Sequence, residues 1–149
     1  MKLTLQIAYT GPELLPNESE FNTWAAAALP DHTPHEIVIR ITDTAESQAL
    51  NHQYRHKNYP TNVLSFPSEP LPGLPNTHLG DLVICAPTVA TEAATQHKLP
   101  KAHWAHLVIH GILHLRGYDH QDTTEATTME TLESQLLHKL GYANPYETS

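Results

Sequence analysis

Cysteine is almost missing from this chain: Cys85 is the only one in 149 residues. A lone thiol cannot close an internal disulfide, which excludes a cross-linked secreted scaffold and fits a reducing cytosol. Long apolar runs are missing too. No stretch approaches the ~20 residues needed to span a bilayer. The opening residues, Met1-Lys2-Leu3-Thr4-Leu5-Gln6-Ile7, alternate in polarity and lack the continuous apolar segment of a signal peptide. A cytoplasmic protein with no membrane partner is expected. Positive charge is also scarce, with 8 Lys and Arg against 16 Asp and Glu and a formal net charge of −8. That balance excludes a global pull towards nucleic acid, so any RNA contact must come from a local patch. Hydrophobic residues make up 40% of the chain, far from a disordered composition, and 149 residues suffice for one domain with a real core.

What the chain has in plenty is histidine, twelve in all. Three fall in one stretch, His110-Gly111-Ile112-Leu113-His114-Leu115-Arg116-Gly117-Tyr118-Asp119-His120. Residues four apart lie on one helix face, about 5–6 Å from each other, so His110 and His114 can reach one metal ion. Gly117 tolerates positive φ and ends such a helix, letting the chain fold back to offer His120. Three protein nitrogens leave one position of a tetrahedral zinc open, the layout of catalytic rather than closed structural sites. The same spacing occurs in metzincin peptidases, where a glutamate directly after the first histidine is the general base. Here that position is Gly111. The ligands point to one zinc ion, while the missing base argues against peptide hydrolysis by that route.

Periodicity and punctuation give the order β-α-β-α-β-β-α-α-α. Strands are expected at 2–9, 36–42, 63–66 and 79–85. Helices are expected at 18–29, from Asp43 to about Arg55 with Asp43 and Glu46 as a capping box, from Pro87 to about Lys98, at 100–116, and at about 123–140. The Pro-rich stretch 67–78 reads as a surface excursion. The expected fold is α/β (α+β): a single domain with a small mixed sheet, about five helices and a zinc-bearing central helix. Apolar residues surround the histidines of helix 100–116 on most sides, which marks a buried helix. Gly111 inside it signals close packing of another element or room for substrate. His103, seven residues before His110 and on roughly its face, reads as part of a solvated helix end, with a supporting contact to the metal site or a substrate contact as the alternative. Asp119 reads as either a partner of a ligand imidazole or a turn cap.

Arg55 and Lys57, beside Tyr54 and Tyr59, form a small basic group in this acidic chain. By composition alone it is a helix C-terminus whose cations complement the dipole. Together, however, the His110–His120 block, the stretch from Tyr54-Arg55 to Ser65-Phe66-Pro67, and Leu79-Gly80-Asp81-Leu82-Val83-Ile84-Cys85 closely resemble the YbeY family of endoribonucleases, the rRNA maturation factors. The resemblance runs from about residue 35 to Gly141. It implies one zinc on His110, His114 and His120, with Arg55 and His114 as the residues carrying catalysis. It further implies a single-strand-specific endoribonuclease acting in 16S rRNA 3′-end maturation and ribosome quality control. The implied partners are single-stranded ribosomal RNA and ribosomal small-subunit proteins and assembly factors. Two other readings stay open: a zinc hydrolase of peptides or small amides with Glu69 or Asp81 as base, and a non-enzymatic assembly factor with structural zinc.

Overall fold

Residues 1–29, 35–69, 72–73, 78–119 and 121–146 are described in the computed structural model. They form β1 (Lys2–Ile7), α1 (Glu18–Ala27), β2 (Glu36–Thr42), α2 (Thr44–Arg55), β3 (Val63–Pro67), β4 (His78–Cys85), α3 (Ala86–Thr95), α4 (Pro100–Leu115) and α5 (Thr123–Lys139). This is the element order that periodicity predicts, in a single small domain. The four strands make one mixed sheet in the order β1-β2-β4-β3. β1, β2 and β4 are parallel, and β3 joins the edge antiparallel to β4. Parallel neighbours need a crossover, and α1 supplies the one between β1 and β2.

Alternation along the strands separates the two faces. Ile37, Ile39, Ile41, Leu82 and Ile84 are essentially fully buried, on the face shared with α1 and α4. Each such side chain contributes about 1.5–3 kcal/mol by leaving water. On the other face lies α2, where Arg40 bonds Glu46 through Nε at 2.6 Å. Asp43 accepts from the Glu46 N–H at 2.9 Å, but the Glu46 carboxylate is drawn to Arg40. The capping box expected at Asp43 is therefore one-sided. A reciprocal box does form at α1, between Asn17 and Glu20.

Helix α4 is the centre of the molecule. Ten of its sixteen residues are buried, including Trp104, Leu107, Ile109, Ile112 and Leu113. Phe21 of α1 meets Trp104 edge-on at 5.7 Å. Gly111 resolves in favour of close packing: a Cβ there would lie 2.7 Å from Leu82 Cδ2 and 3.4 Å from Ser65 Oγ. Its carbonyl also accepts from Ser65 Oγ at 3.3 Å. α4 ends at Leu115, and Gly117 takes φ +99° in the turn that follows. α3 stops at Thr95, short of the expected Lys98, because Gln96 caps it and His97 adopts φ +54°. Much of the Pro-rich stretch lies outside the described residues (70, 71 and 74–77), while Pro67 closes β3 opposite Gly80.

The connection from α2 to β3 is pinned by buried polar side chains. His56 takes the left-handed conformation at the C-cap of α2, turning the chain just after Arg55. Asn51 Nδ2 then donates to the Tyr59 carbonyl at 2.8 Å. Ser47 Oγ donates to the Thr61 carbonyl at 2.8 Å and accepts from its N–H at 3.0 Å. Ser47→Ala leaves both Thr61 groups without their partner, with no loss of helix propensity. It is expected to cost about 1–3 kcal/mol, measurable as a lowered urea midpoint at unchanged m-value.

Candidate metal centre and its cleft

Four histidines stand along α4, at positions 103, 106, 110 and 114, and a helix this buried admits them only where partners are supplied. Adjacent rings meet nearly edge-to-face, His110 and His114 with centroids 4.6 Å apart and His106 and His110 at 6.2 Å. The partner for His110 comes from α5. Glu133 is fully buried, and its Oε1 accepts from His110 Nδ1. Its Oε2 accepts from the Tyr146 hydroxyl and stands 3.6 Å from His106 Nε2. Burial alone would raise the Glu133 carboxyl, but the His106 and His110 imidazoles hold it down at about 2. Burial and the adjacent carboxylate push the Tyr146 hydroxyl well above the usual phenol range. Burial pulls His106 below the usual imidazole range.

His106, His110 and Glu133 form a group whose ligand atoms lie within 4.8 Å of one another and could hold a metal ion. Within the group His110 bonds Glu133 directly, while His106 Nε2 meets the Tyr146 hydroxyl at 3.2 Å. With Nδ1 of His110 facing Glu133, its Nε2 is on the opposite side of the ring. His110 and His114 both line an open cavity of ≈ 570 Å³. Arg55, at the end of α2, lines it too, with Tyr54, Asn62, Ser65 and Asp119. Three of the residues singled out in the sequence, Arg55, His110 and His114, thus converge on one cleft. His120 lies outside the described residues.

Other expectations change. His103 is 4% exposed, not part of a solvated helix end: its Nε2 meets Glu92 Oε1 of α3 at 2.9 Å. The carboxylate on His110 is Glu133, a residue the sequence reading missed. One signal was available, since Glu133 interrupts the buried stripe of Met129 and Leu137 at i, i+4 and i+8 on α5. Asp81 faces away from the cleft, bonded to His78 at 2.9 Å and lining a cavity on the α2 face of the sheet. Glu69 is exposed beyond β3 and does not line the cleft.

Fold and site together define a small mixed α/β domain with an arginine- and histidine-lined cleft over a possible metal centre. The family described as Endoribonuclease YbeY matches residues 16–141. The chain belongs to the YbeY endoribonuclease family, and membership implies action on RNA in ribosomal RNA maturation. In fold it is similar to the solution structure of TM1509 from Thermotoga maritima, with TM-score 0.52 and 20% identity. That match covers 97% of this chain and 100% of the other. Among the described residues, no helix is long and apolar enough to cross a membrane.

A carboxylate behind a ligating imidazole fixes its tautomer and raises its basicity. Glu133→Gln is expected to weaken metal binding by about 10- to 100-fold, as read by competition with a chelating dye. Tyr146→Phe removes one of the donors to Glu133 and is expected to weaken it less.

Proposed function

We propose that this chain is a zinc-dependent, single-strand-specific endoribonuclease, and that residues 1–149 form one catalytic domain. The observation that carries the reading is the convergence of Arg55, His110 and His114 on one open cleft in a chain of this family. His110, His114 and His120 would hold one zinc ion. Imidazole nitrogens are donors suited to zinc, and His110 meets the Glu133 carboxylate through Nδ1 rather than Nε2. When bound, zinc supplies Lewis acidity that activates water at neutral pH and polarises a phosphoryl oxygen.

The protein's own groups do the remaining work. Arg55 makes no ion pair within 4 Å among the described residues. Its guanidinium is therefore available to pair two-point with phosphate oxygens and to neutralise charge that builds on them. Ser47 and Asn51 hold the turn that brings Arg55 to the cleft. Glu133 holds the His110 ring against rotation. Gly111, where zinc peptidases carry a glutamate base, is occupied by packing against Leu82. With Asp81 on the other side of the sheet and Glu69 away from the cleft, neither carboxylate is placed to serve there as base for peptide hydrolysis.

The same reading places the protein in the cytoplasm, in 16S rRNA 3′-end maturation and ribosome quality control. Small-subunit ribosomal proteins and assembly factors are its partners, and a net charge of −8 suits docking to basic ribosomal proteins.

The decisive experiment is cleavage of a single-stranded ribosomal RNA fragment by purified protein, with zinc content measured on the same samples. Arg55→Ala is expected to lose about 10²–10³ in rate while keeping its fold and metal. His114→Ala should lose stoichiometric zinc, and His106→Ala should retain it. Zinc kept by His114→Ala but lost by His106→Ala would move the metal to the His106, His110 and Glu133 group. Products ending only in 2′,3′-cyclic phosphate would replace water attack by attack of the RNA's own 2′-hydroxyl.

A further inference from the structure

His110 is a wall shared by two cavities. Beyond the cleft that holds Arg55, a second cavity of ≈ 380 Å³ is lined by Asn62, Val63 and His110 together with Glu92, Lys98, His103, His106 and Tyr146. The two cavities meet along Asn62, Val63 and His110. At 1.5 Å per residue, His106 and His103 lie about 6 and 10 Å from His110 along the α4 axis. The second cavity therefore extends the cleft on the side away from Arg55, by roughly the space of one nucleotide.

Its chemistry differs from that of a packing defect. Of the eight Lys and Arg residues in the chain, only Arg55 lines the first cavity and only Lys98 lines the second. Two of the others are committed elsewhere, Arg40 to Glu46 and Lys101 to Glu20 at 2.7 Å. Lys98 makes no ion pair within 4 Å among the described residues. Glu92, the one carboxylate lining this cavity among the described residues, accepts from Asn62 Nδ2 at 3.0 Å and His103 Nε2 at 2.9 Å. Those donors turn its charge inward. Tyr146 is 42% exposed with its hydroxyl fixed by Glu133 and its ring edge-on to His106 at 5.4 Å. An aromatic ring held rigid and open at a rim is a stacking platform for any base.

We infer that this second cavity is a subsite for the ribonucleotide adjoining the scissile phosphate, with Lys98 pairing to its far phosphate and Tyr146 stacking on its base. The inference rests on the RNA-cleaving reading of the first cavity. It makes the cleft a track with one cation at each end and the histidines between them. It also gives a physical basis for single-strand selectivity, because a base already stacked and paired in a duplex cannot turn onto Tyr146.

The test is fluorescence anisotropy of a labelled single-stranded oligoribonucleotide on zinc-loaded, full-length protein across a salt series. Wild type is compared with Lys98→Gln and Lys98→Arg, with folding checked by circular dichroism. Lys98→Gln is expected to bind about fivefold or more weakly, and its log Kd against log salt slope should flatten by about 0.7, one single-strand phosphate contact. Lys98→Arg should restore both. Wild-type affinity in Lys98→Gln, or weaker binding with an unchanged salt slope, would overturn the subsite while the nuclease reading stands. A wild-type protein that neither binds nor cleaves single-stranded RNA would overturn both.

Discussion

Everything in this molecule follows from burying α4 on nearly every side. A helix packed by the sheet, α1, α3 and α5 cannot carry unpaired imidazoles, because each lost hydrogen bond in such surroundings costs on the order of 1–3 kcal/mol. Two of these neighbours, α3 and α5, each bring a carboxylate to meet one. Glu92 of α3 serves His103, and Glu133 of α5 serves His110. The packing that stabilises the domain is thus also what aims the histidines, and the rigidity a metal centre needs arises from the core itself.

The second requirement is a cation delivered to that centre from a different element. Arg55 sits at the last turn of α2, on a helix that packs on the opposite face of the sheet from α4. It reaches the cleft because β3 is an edge strand that both sides can approach. Ser65 of β3 bonds the Gly111 carbonyl, while Tyr54 of α2 meets Phe66 of β3 edge-on at 5.1 Å. β3 therefore couples the arginine to the histidines. Its antiparallel addition to an otherwise parallel sheet is what places the cleft at that edge.

The boundaries of nearly every element were legible in the sequence because they rest on local signals: alternation in 36–42, the Pro87 and Pro100 starts, and the glycine stops at 117 and 141. The His110 and His114 pair was legible for the same reason, being a matter of helical spacing. Strand order was not legible, since it depends on contacts between segments far apart. The fate of the Glu46 carboxylate was missed on the same ground: Arg40, on the preceding strand, competes for it. His103 looked solvated because its sequence neighbours are Lys98 and Lys101, and nothing local announces Glu92 across the α3–α4 turn. Glu133, twenty-three residues from its imidazole, showed only as a charge in an apolar stripe. Arg55 stood out through family resemblance alone, and its composition suggested no more than a helix end.

Tyr146 has a consequence for the motions of the chain. Asn144 ties the segment after α5 to Ser134, with Oδ1 accepting from its hydroxyl at 3.0 Å and from the Tyr146 N–H at 2.9 Å. Tyr146 in turn clasps the carboxylate that clasps His110. Fraying of this tail and rotation of the His110 ring are thereby two faces of one opening equilibrium. An ion or substrate that immobilises the ring draws down the frayed population by mass action. Occupancy of the cleft would then be written in the amide exchange rates of residues 142–146.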